Sequence, residues 1–218
     1  MKKSIIILSL FFAICERSSA QDAVKDQIQN GVTRLDNARS VKEYTQLAAD
    51  FENIAEKDHT QWLPYYYAAY CNARLGWLYQ EDPDKIEPVA DKADEQIKKA
   101  LSLLDTANQK KELSEVYVVL NMINQARVFM NPATYGQHYG PIASQYLRMA
   151  IRANANNPRA LYLDGWVKDA TPKMWGGDKV KAKELTLQAK QILDGESTAT
   201  IDPHWGRFEA EELLKKLK

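Results

Sequence analysis

Residues that could carry out catalysis or bind a metal are few in this sequence and do not cluster. The three histidines, His59, His138 and His204, are far apart, and no His-x3-His, Cys-x2-Cys or His-Glu-x2-His spacing is present. The Gly-x-Ser-x-Gly turn of serine hydrolases is also absent. Cys71 lies in an apolar helical stretch, which favours a small core residue over a nucleophile. The sequence therefore predicts a protein that is not an enzyme and uses no cofactor or metal.

Aromatic and amide side chains are better candidates, and they point to binding. The stretch WLPYYYAAYCNARLGWLY, residues 62–79, places rings on every side of one predicted helix, and a single core stripe cannot hold them all. These rings either contact a partner or pack against the next helix. A second stretch, VLNMINQARVFMNP, gives another helix a polar side. Its amides either hold a peptide backbone or a polar small molecule, or form an ordinary solvated face.

The elements that position these residues are predicted to be helices throughout. Hydrophobic residues recur with a helical period, and strand patterns and hairpin turns such as Asn-Gly are missing. Turn-forming residues separate predicted helical blocks at 23–38, 41–57, 62–80, 84–104, 110–130, 139–154, 158–170, 179–194 and 204–217. Short connections make neighbouring blocks antiparallel hairpins. The segment NPATYGQHYGP, residues 131–141, is predicted to be a connecting loop around His138.

Pairs of alanines seven residues apart recur four times along these blocks. They are Ala48/Ala55, Ala93/Ala100, Ala143/Ala150 and Ala182/Ala189. Seven residues make two helical turns, so both alanines of a pair lie on one stripe, where small side chains let a neighbouring helix approach closely. Between the alanines stand Glu52, Ile97, Leu147 and Thr186.

The fourth unit, NNPRALYLDG followed by TPKMWGGDKVKA, resembles the tetratricopeptide repeat (TPR), a helix-turn-helix of 34 residues. Gly165, Ala182 and Ala189 match the small residues of that repeat. The sequence is similar to a poorly characterised group of exported TPR-like proteins of Gram-negative bacteria. The resemblance implies an all-α, right-handed solenoid of antiparallel helix hairpins, with about four degenerate repeats and a C-terminal capping helix, Trp205 to Lys218.

In the register of that resemblance, one set of residues faces the concave groove of the solenoid, the surface that repeat proteins use for binding. From the aromatic helix and the last unit we predict two rings each, and from the middle helix the polar side. The predicted binding residues are Tyr66, Tyr70, Asn121, Asn124, Gln125, Arg159, Tyr162, Trp166 and Asp169.

The stretch ATPKMWGGDKVKA, residues 170–182, is predicted to be an enlarged elbow between the two helices of the last repeat. Thr171-Pro172 ends one helix, the Gly176-Gly177 pair makes the turn, and Asp178 begins the next helix. Trp175 either fills the gap that the five inserted residues open or touches a ligand as a lid. We expect the first.

The N-terminal residues 1–20 are predicted to be a signal peptide. A Lys2-Lys3 start, an apolar run of about eleven residues and a small-residue site before Gln21 fit cleavage there. A lipoprotein acylated at Cys15 is the alternative. The mature chain, 21–218, forms one domain without a transmembrane segment, and a periplasmic or secreted location is expected. Its 26 basic and 28 acidic residues show no basic surplus that would indicate nucleic acid or anionic lipid.

Taken together, these features predict an exported binding or scaffold module that holds a peptide or partner protein in a concave groove. The alternative is a small-molecule-binding periplasmic accessory protein, such as a partner of a transporter or envelope complex, which uses the same aromatic residues as a pocket.

Overall fold

A computed structural model describes residues 23–218, so the predicted signal peptide lies outside the described residues. Over this range the chain forms nine α-helices and no β-strand, which confirms the all-α class. None of these helices is long and apolar enough to cross a membrane. The helices are α1 (23–35), α2 (Val41–Lys57), α3 (Trp62–Leu78), α4 (Ile86–Ser102), α5 (Lys110–Met130), α6 (Pro132–Ala153), α7 (Pro158–Ala170), α8 (Lys179–Gly195) and α9 (Arg207–Lys216).

Helices α6 and α7 begin at Asn-Pro pairs. The beginning of α6 differs from the prediction that residues 131–141 form a loop. Asn131 caps α6 by accepting hydrogen bonds from Ala133 N and Thr134 N, and Asn157 caps α7 in the same way. Proline at the first helical position needs no hydrogen-bond partner for its nitrogen and already has a helical φ. Residues 131–141 are therefore the cap and first turns of α6 and not a loop, although Pro141 lies within the helix.

Close approach between helices is confirmed at the small residues. All eight alanines of the repeated pairs are at most 5% exposed. Gly165 of α7 lies so near α8 that a Cβ there would be 2.5 Å from Thr186 Oγ1 and 3.0 Å from the carbonyl oxygen of Ala182. Consecutive helices pack against each other from α2 to α9, and α5 also packs against α3 and α7. The small residues thus set the spacing of the helix pairs.

Helix α3 is the centre of the core. Tyr66, Tyr67 and Tyr70 are fully buried, and Phe51 of α2 stacks on Tyr67 with ring centroids 5.0 Å apart. Rings on every side of α3 are accommodated because helices α2, α4 and α5 and the C-terminal segment surround it. The large aromatic content of this helix therefore serves mainly to fill the interior.

The C-terminal segment, residues 196–217, does more than cover the last repeat. Trp205 stacks on Tyr70 at 4.3 Å between ring centroids, and its Nε1 donates to Tyr66 Oη at 2.8 Å. Salt bridges attach the segment to other helices: Glu196–Arg159 and Lys216–Asp169 to α7, and Glu209–Arg74 to α3. His204 Nε2 also lies 3.0 Å from Asp36 Oδ1, just after α1. The capping helix predicted from Trp205 to Lys218 is shorter in the structure, Arg207–Lys216, and Phe208 in its first turn is 41% exposed beside Arg39.

We expect Trp205→Ala to lower the free energy of unfolding by about 3–5 kcal/mol, because it removes a buried ring and leaves Tyr66 Oη without its donor. Thermal or urea unfolding followed by circular dichroism measures the change. Phe208→Ala, on the same segment but exposed, is the matched control and should cost under about 1 kcal/mol. Equal losses in the two variants would contradict the central position of Trp205.

Candidate functional site

The inner face that the sequence predicts as an open groove is closed in the structure. Tyr66, Tyr70 and Arg159 do come together, but each contacts Trp205 of the C-terminal segment and is buried. Tyr162 is buried as well. Burial is the physical reason for the difference: the segment occupies the face on which a partner would lie. Binding through these residues stays a prediction that requires the segment to leave.

A charged network reinforces this closure. Arg159 Nε lies 2.9 Å from Glu115 Oε2, and its terminal nitrogens donate to both oxygens of Glu196 at 2.8 and 3.0 Å. Burial raises the pKa of Glu115, and the guanidinium of Arg159 opposes that rise. For Arg159, burial lowers the pKa, but the attraction of Glu115 and the contacts with Glu196 raise it more. Four of the five N–H groups of the guanidinium donate to Glu115, Glu196 and the carbonyl of Trp205, so Arg159 serves mainly to hold the C-terminal segment.

The remaining predicted binding residues also have structural partners or are partly covered. Asn121 donates to the carbonyl of Ala143, and Asn124 to that of Leu120. Trp166 joins Trp77 and Phe129 in a half-buried aromatic cluster, with 4.8 and 5.9 Å between ring centroids. Asp169 pairs with Lys216 and Lys179, and Gln125 is half-buried. These residues do not gather at one accessible site.

An accessible site does lie on another surface, in a groove between α2 and α4. The groove has a volume of about 630 Å³ and is floored by helix α3. Small side chains, Ala55 and Ala68, leave space along its base, and the accessible surface of its lining is mostly apolar. Such a volume and lining suit a small organic ligand. Its charged lining is balanced: the lysines are Lys92, Lys98 and Lys99, and the glutamates are Glu52, Glu56 and Glu95.

One end of the groove is polar. Glu52 of α2 pairs with Lys92 Nζ at 3.2 Å and accepts from Gln96, whose side-chain oxygen in turn accepts from Asn72 at 3.0 Å. Glu52 stands where the other repeats have Ile97, Leu147 and Thr186. The substitution of a carboxylate for a mostly apolar residue therefore marks this groove as different from its counterparts.

Tyr65 supplies the phenol hydroxyl of the groove, which Glu56, Glu95 and Ser102 also line. Its hydroxyl lies 3.0 Å from His59 Nδ1 and 3.4 Å from the carbonyl oxygen of Ala55. Burial raises the pKa of Tyr65, and the carboxylates of Glu56 and Asp58 raise it further. The phenol is therefore neutral at neutral pH. Among the described residues, no three His, Cys, Asp or Glu side chains are placed to hold a bare metal ion.

The elbow between α7 and α8 is the second exposed feature, and it overturns an expectation. Trp175 is 72% exposed, whereas the other four tryptophans are buried or half-buried. The expectation that Trp175 fills the gap opened by the inserted residues is therefore wrong. The neighbouring Met174 and Val180 are 82% and 71% exposed. A trough of about 650 Å³ lies beside them, lined by residues of the elbow and the first turn of α8.

The backbone of the elbow is fixed even though its side chains are exposed. Trp175 N and Gly177 N both donate to the carbonyl of Pro172, at 2.9 and 3.1 Å, and Asp178 N donates to that of Lys168. Gly176 has a φ of +93°, and a Cβ at Gly177 would lie 1.7 Å from the carbonyl oxygen of Thr171. Glycine is thus required by the turn itself, as the sequence predicts.

Sequence reasoning missed Tyr65 and the groove because it followed one helix face in the repeat register. The signal that was present is Glu52 between two alanines that the repeat otherwise separates by Ile, Leu or Thr. Only the packing of α2 and α4 across α3 shows that Glu52 and Tyr65 line the same groove.

Comparisons with known proteins give one informative relationship. No family model and no curated protein matches the chain. A solved structure, the HusA haemophore from Porphyromonas gingivalis, is 31% identical, covers 88% of this chain and 90% of its own, and superimposes with a TM-score of 0.75. At that identity over most of both chains, the protein belongs to the same family as this haemophore.

The elbow gives a stability prediction. Trp175→Ala should change the free energy of unfolding by no more than about 0.5 kcal/mol, because the ring is exposed. Gly177→Ala should lower it by about 1–3 kcal/mol, since its Cβ would overlap the carbonyl of Thr171. Thermal unfolding of both variants beside the wild type measures these changes. A large loss of stability in Trp175→Ala would indicate that the Trp175 ring is buried after all.

Proposed function

We propose that the protein is an exported, non-catalytic carrier of a planar, largely apolar ligand of the haem type, bound in the α2–α4 groove. The observation that carries the proposal is this groove, with an apolar base, a lysine-bearing wall and one phenol. The family relationship to a haemophore supports the ligand class. This function corresponds to the small-molecule alternative of the sequence analysis. We also propose that the helix pairs form a TPR-like right-handed superhelix. In that arrangement α2 and α4 lie on its outer side.

The shape of the groove suits a flat ring. Ala55 and Ala68 put only methyl groups at the base, so a ring system can slide between α2 and α4 and bury apolar surface against α3. A haem-type ligand also carries carboxylates that must stay paired or solvated. Lys98 and Lys99 line the groove on α4 and are themselves exposed, so they can pair with those carboxylates at its edge.

Tyr65 is the residue of the groove that fits an iron-containing ligand. Tyrosinate is an established protein ligand of haem iron. Ferric iron, when present in the ligand, supplies a positive charge that lowers the pKa of a coordinating hydroxyl group far below its free value. His59 Nδ1, 3.0 Å from the Tyr65 oxygen, is placed to accept the phenolic proton. His59 is exposed, so it can pass the proton on to solvent.

Tyr65→Phe tests this arrangement in the mature chain. We expect about tenfold or greater loss of affinity for ferric haem, equivalent to about 1.4 kcal/mol, and a smaller loss for the metal-free porphyrin, because only the first has iron to coordinate. Absorbance titration around the haem band, with quenching of tryptophan fluorescence, measures both. Tyr135→Phe, an exposed tyrosine outside the groove, is the control. Failure of the wild type to bind any tetrapyrrole would refute the proposed function.

The lysine wall gives a separate test. Lys98→Glu with Lys99→Glu should weaken binding of haem and of metal-free porphyrin alike, by about fivefold, because both ligands carry the same carboxylates. The matched control reverses two exposed lysines outside the groove, Lys110→Glu with Lys111→Glu. If the control pair weakens binding as much as the test pair, the effect is general electrostatics and the groove is not the site.

A further inference from the structure

The elbow between α7 and α8 presents a combination of side chains that the α2–α4 groove does not explain. Met174, Trp175 and Val180 are all more than two-thirds exposed. Large apolar side chains exposed together usually mark an interaction surface. Three backbone hydrogen bonds and the glycine pair fix the turn, so these side chains are held outward by a defined backbone. Holding them in place beforehand reduces the entropy lost when they are buried in a partner.

Positive charge surrounds this apolar tip. Between residues 173 and 183 the chain has four lysines and one aspartate, although the whole chain has 29 basic and 29 acidic residues. The aspartate, Asp178, is occupied as the N-cap of α8 and accepts from Lys181 N at 2.9 Å. Lys179 is 76% exposed in its side chain and lies 3.6 Å from Asp169. Lys181 pairs with Glu184 at 3.1 Å, so the local basic surplus comes from Lys173, Lys179 and Lys183.

We propose that the elbow docks the protein onto an anionic lipid bilayer. The tip formed by Met174, Trp175 and Val180 enters the interfacial region, where tryptophan is favoured, while the lysines meet the lipid headgroups. The trough beside the tip is lined by Asp169 and Asp178 as well as by Lys173 and Lys179, so the lysines meet lipid phosphates at the exposed surface and not inside the trough. Charge complementarity favours a lipid bilayer as the partner, because several exposed lysines near the apolar side chains match a continuous anionic surface.

This surface is independent of the ligand groove. The groove is lined by α2, α3 and α4, whereas the tip and the trough belong to the end of α7, the elbow and the start of α8. A carrier can therefore rest on a membrane through one surface and hold its ligand on another. Loss of either activity leaves the other measurable.

Co-sedimentation of the mature chain with vesicles tests the proposal. We expect binding to vesicles of equal parts phosphatidylcholine and phosphatidylglycerol, weak binding to phosphatidylcholine alone, and loss of binding at high salt. Trp175→Ala with Met174→Ala should weaken binding at least tenfold and remove the blue shift of tryptophan emission. Because both side chains are exposed, these variants should fold. Phe208→Ala, an exposed ring elsewhere, should bind as the wild type does.

The lysines beside the elbow are tested by Lys179→Glu with Lys183→Glu. This double variant should weaken vesicle binding more than about twentyfold, since each lysine near an anionic surface contributes about fivefold. Reversal of Lys110 and Lys111 is the control. Equal binding of the wild type to both vesicle types, or none to either, would overturn the proposal. So would a loss of tetrapyrrole affinity in the Trp175→Ala, Met174→Ala variant with vesicle binding unchanged, because the elbow would then be the ligand site.

Discussion

Small residues at helix contacts are the constraint on which the structure depends. Where Gly165 meets the backbone of α8, not even a methyl group fits, and each alanine pair is buried against a neighbouring helix. This close spacing brings successive hairpins into contact and leaves little volume between them. Large side chains are therefore displaced to the inner side of the hairpins, where Tyr66, Tyr67 and Tyr70 gather.

The accumulation of rings on the inner side has a consequence for binding. An exposed aromatic face of that size would be costly in water, and the chain covers it with its own C-terminal segment. Trp205 fills the place between the tyrosines, and the salt bridges of the segment hold it there. The surface that repeat proteins commonly use for partners is thus part of the core in this protein. The accessible surfaces are the α2–α4 groove and the elbow.

The α2–α4 groove and the elbow are accessible for two different structural reasons. In the groove, the small side chains of Ala55 and Ala68 leave space between α2 and α4, and Glu52 pairs with Lys92 at one end of it. At the elbow, inserted residues lengthen a turn, and two glycines fix it so that its apolar side chains point away from the core. The eight alanines of the repeated pairs stay buried beside both features.

Local structure could be predicted from the sequence alone. The helical period, the Asn-Pro and Asp caps, the glycine turn and the alanine spacing all act within a few residues, so they can be recognised without knowing the rest of the chain. The predictions that were wrong depended on residues that are far apart in the sequence. Whether Tyr66 faces water depends on Trp205, which follows it by 139 residues. Whether Trp175 is buried depends on how far the elbow stands from its neighbours. Only the tertiary structure decided these matters, because the exposure of a side chain is set by residues that the chain brings together from far apart.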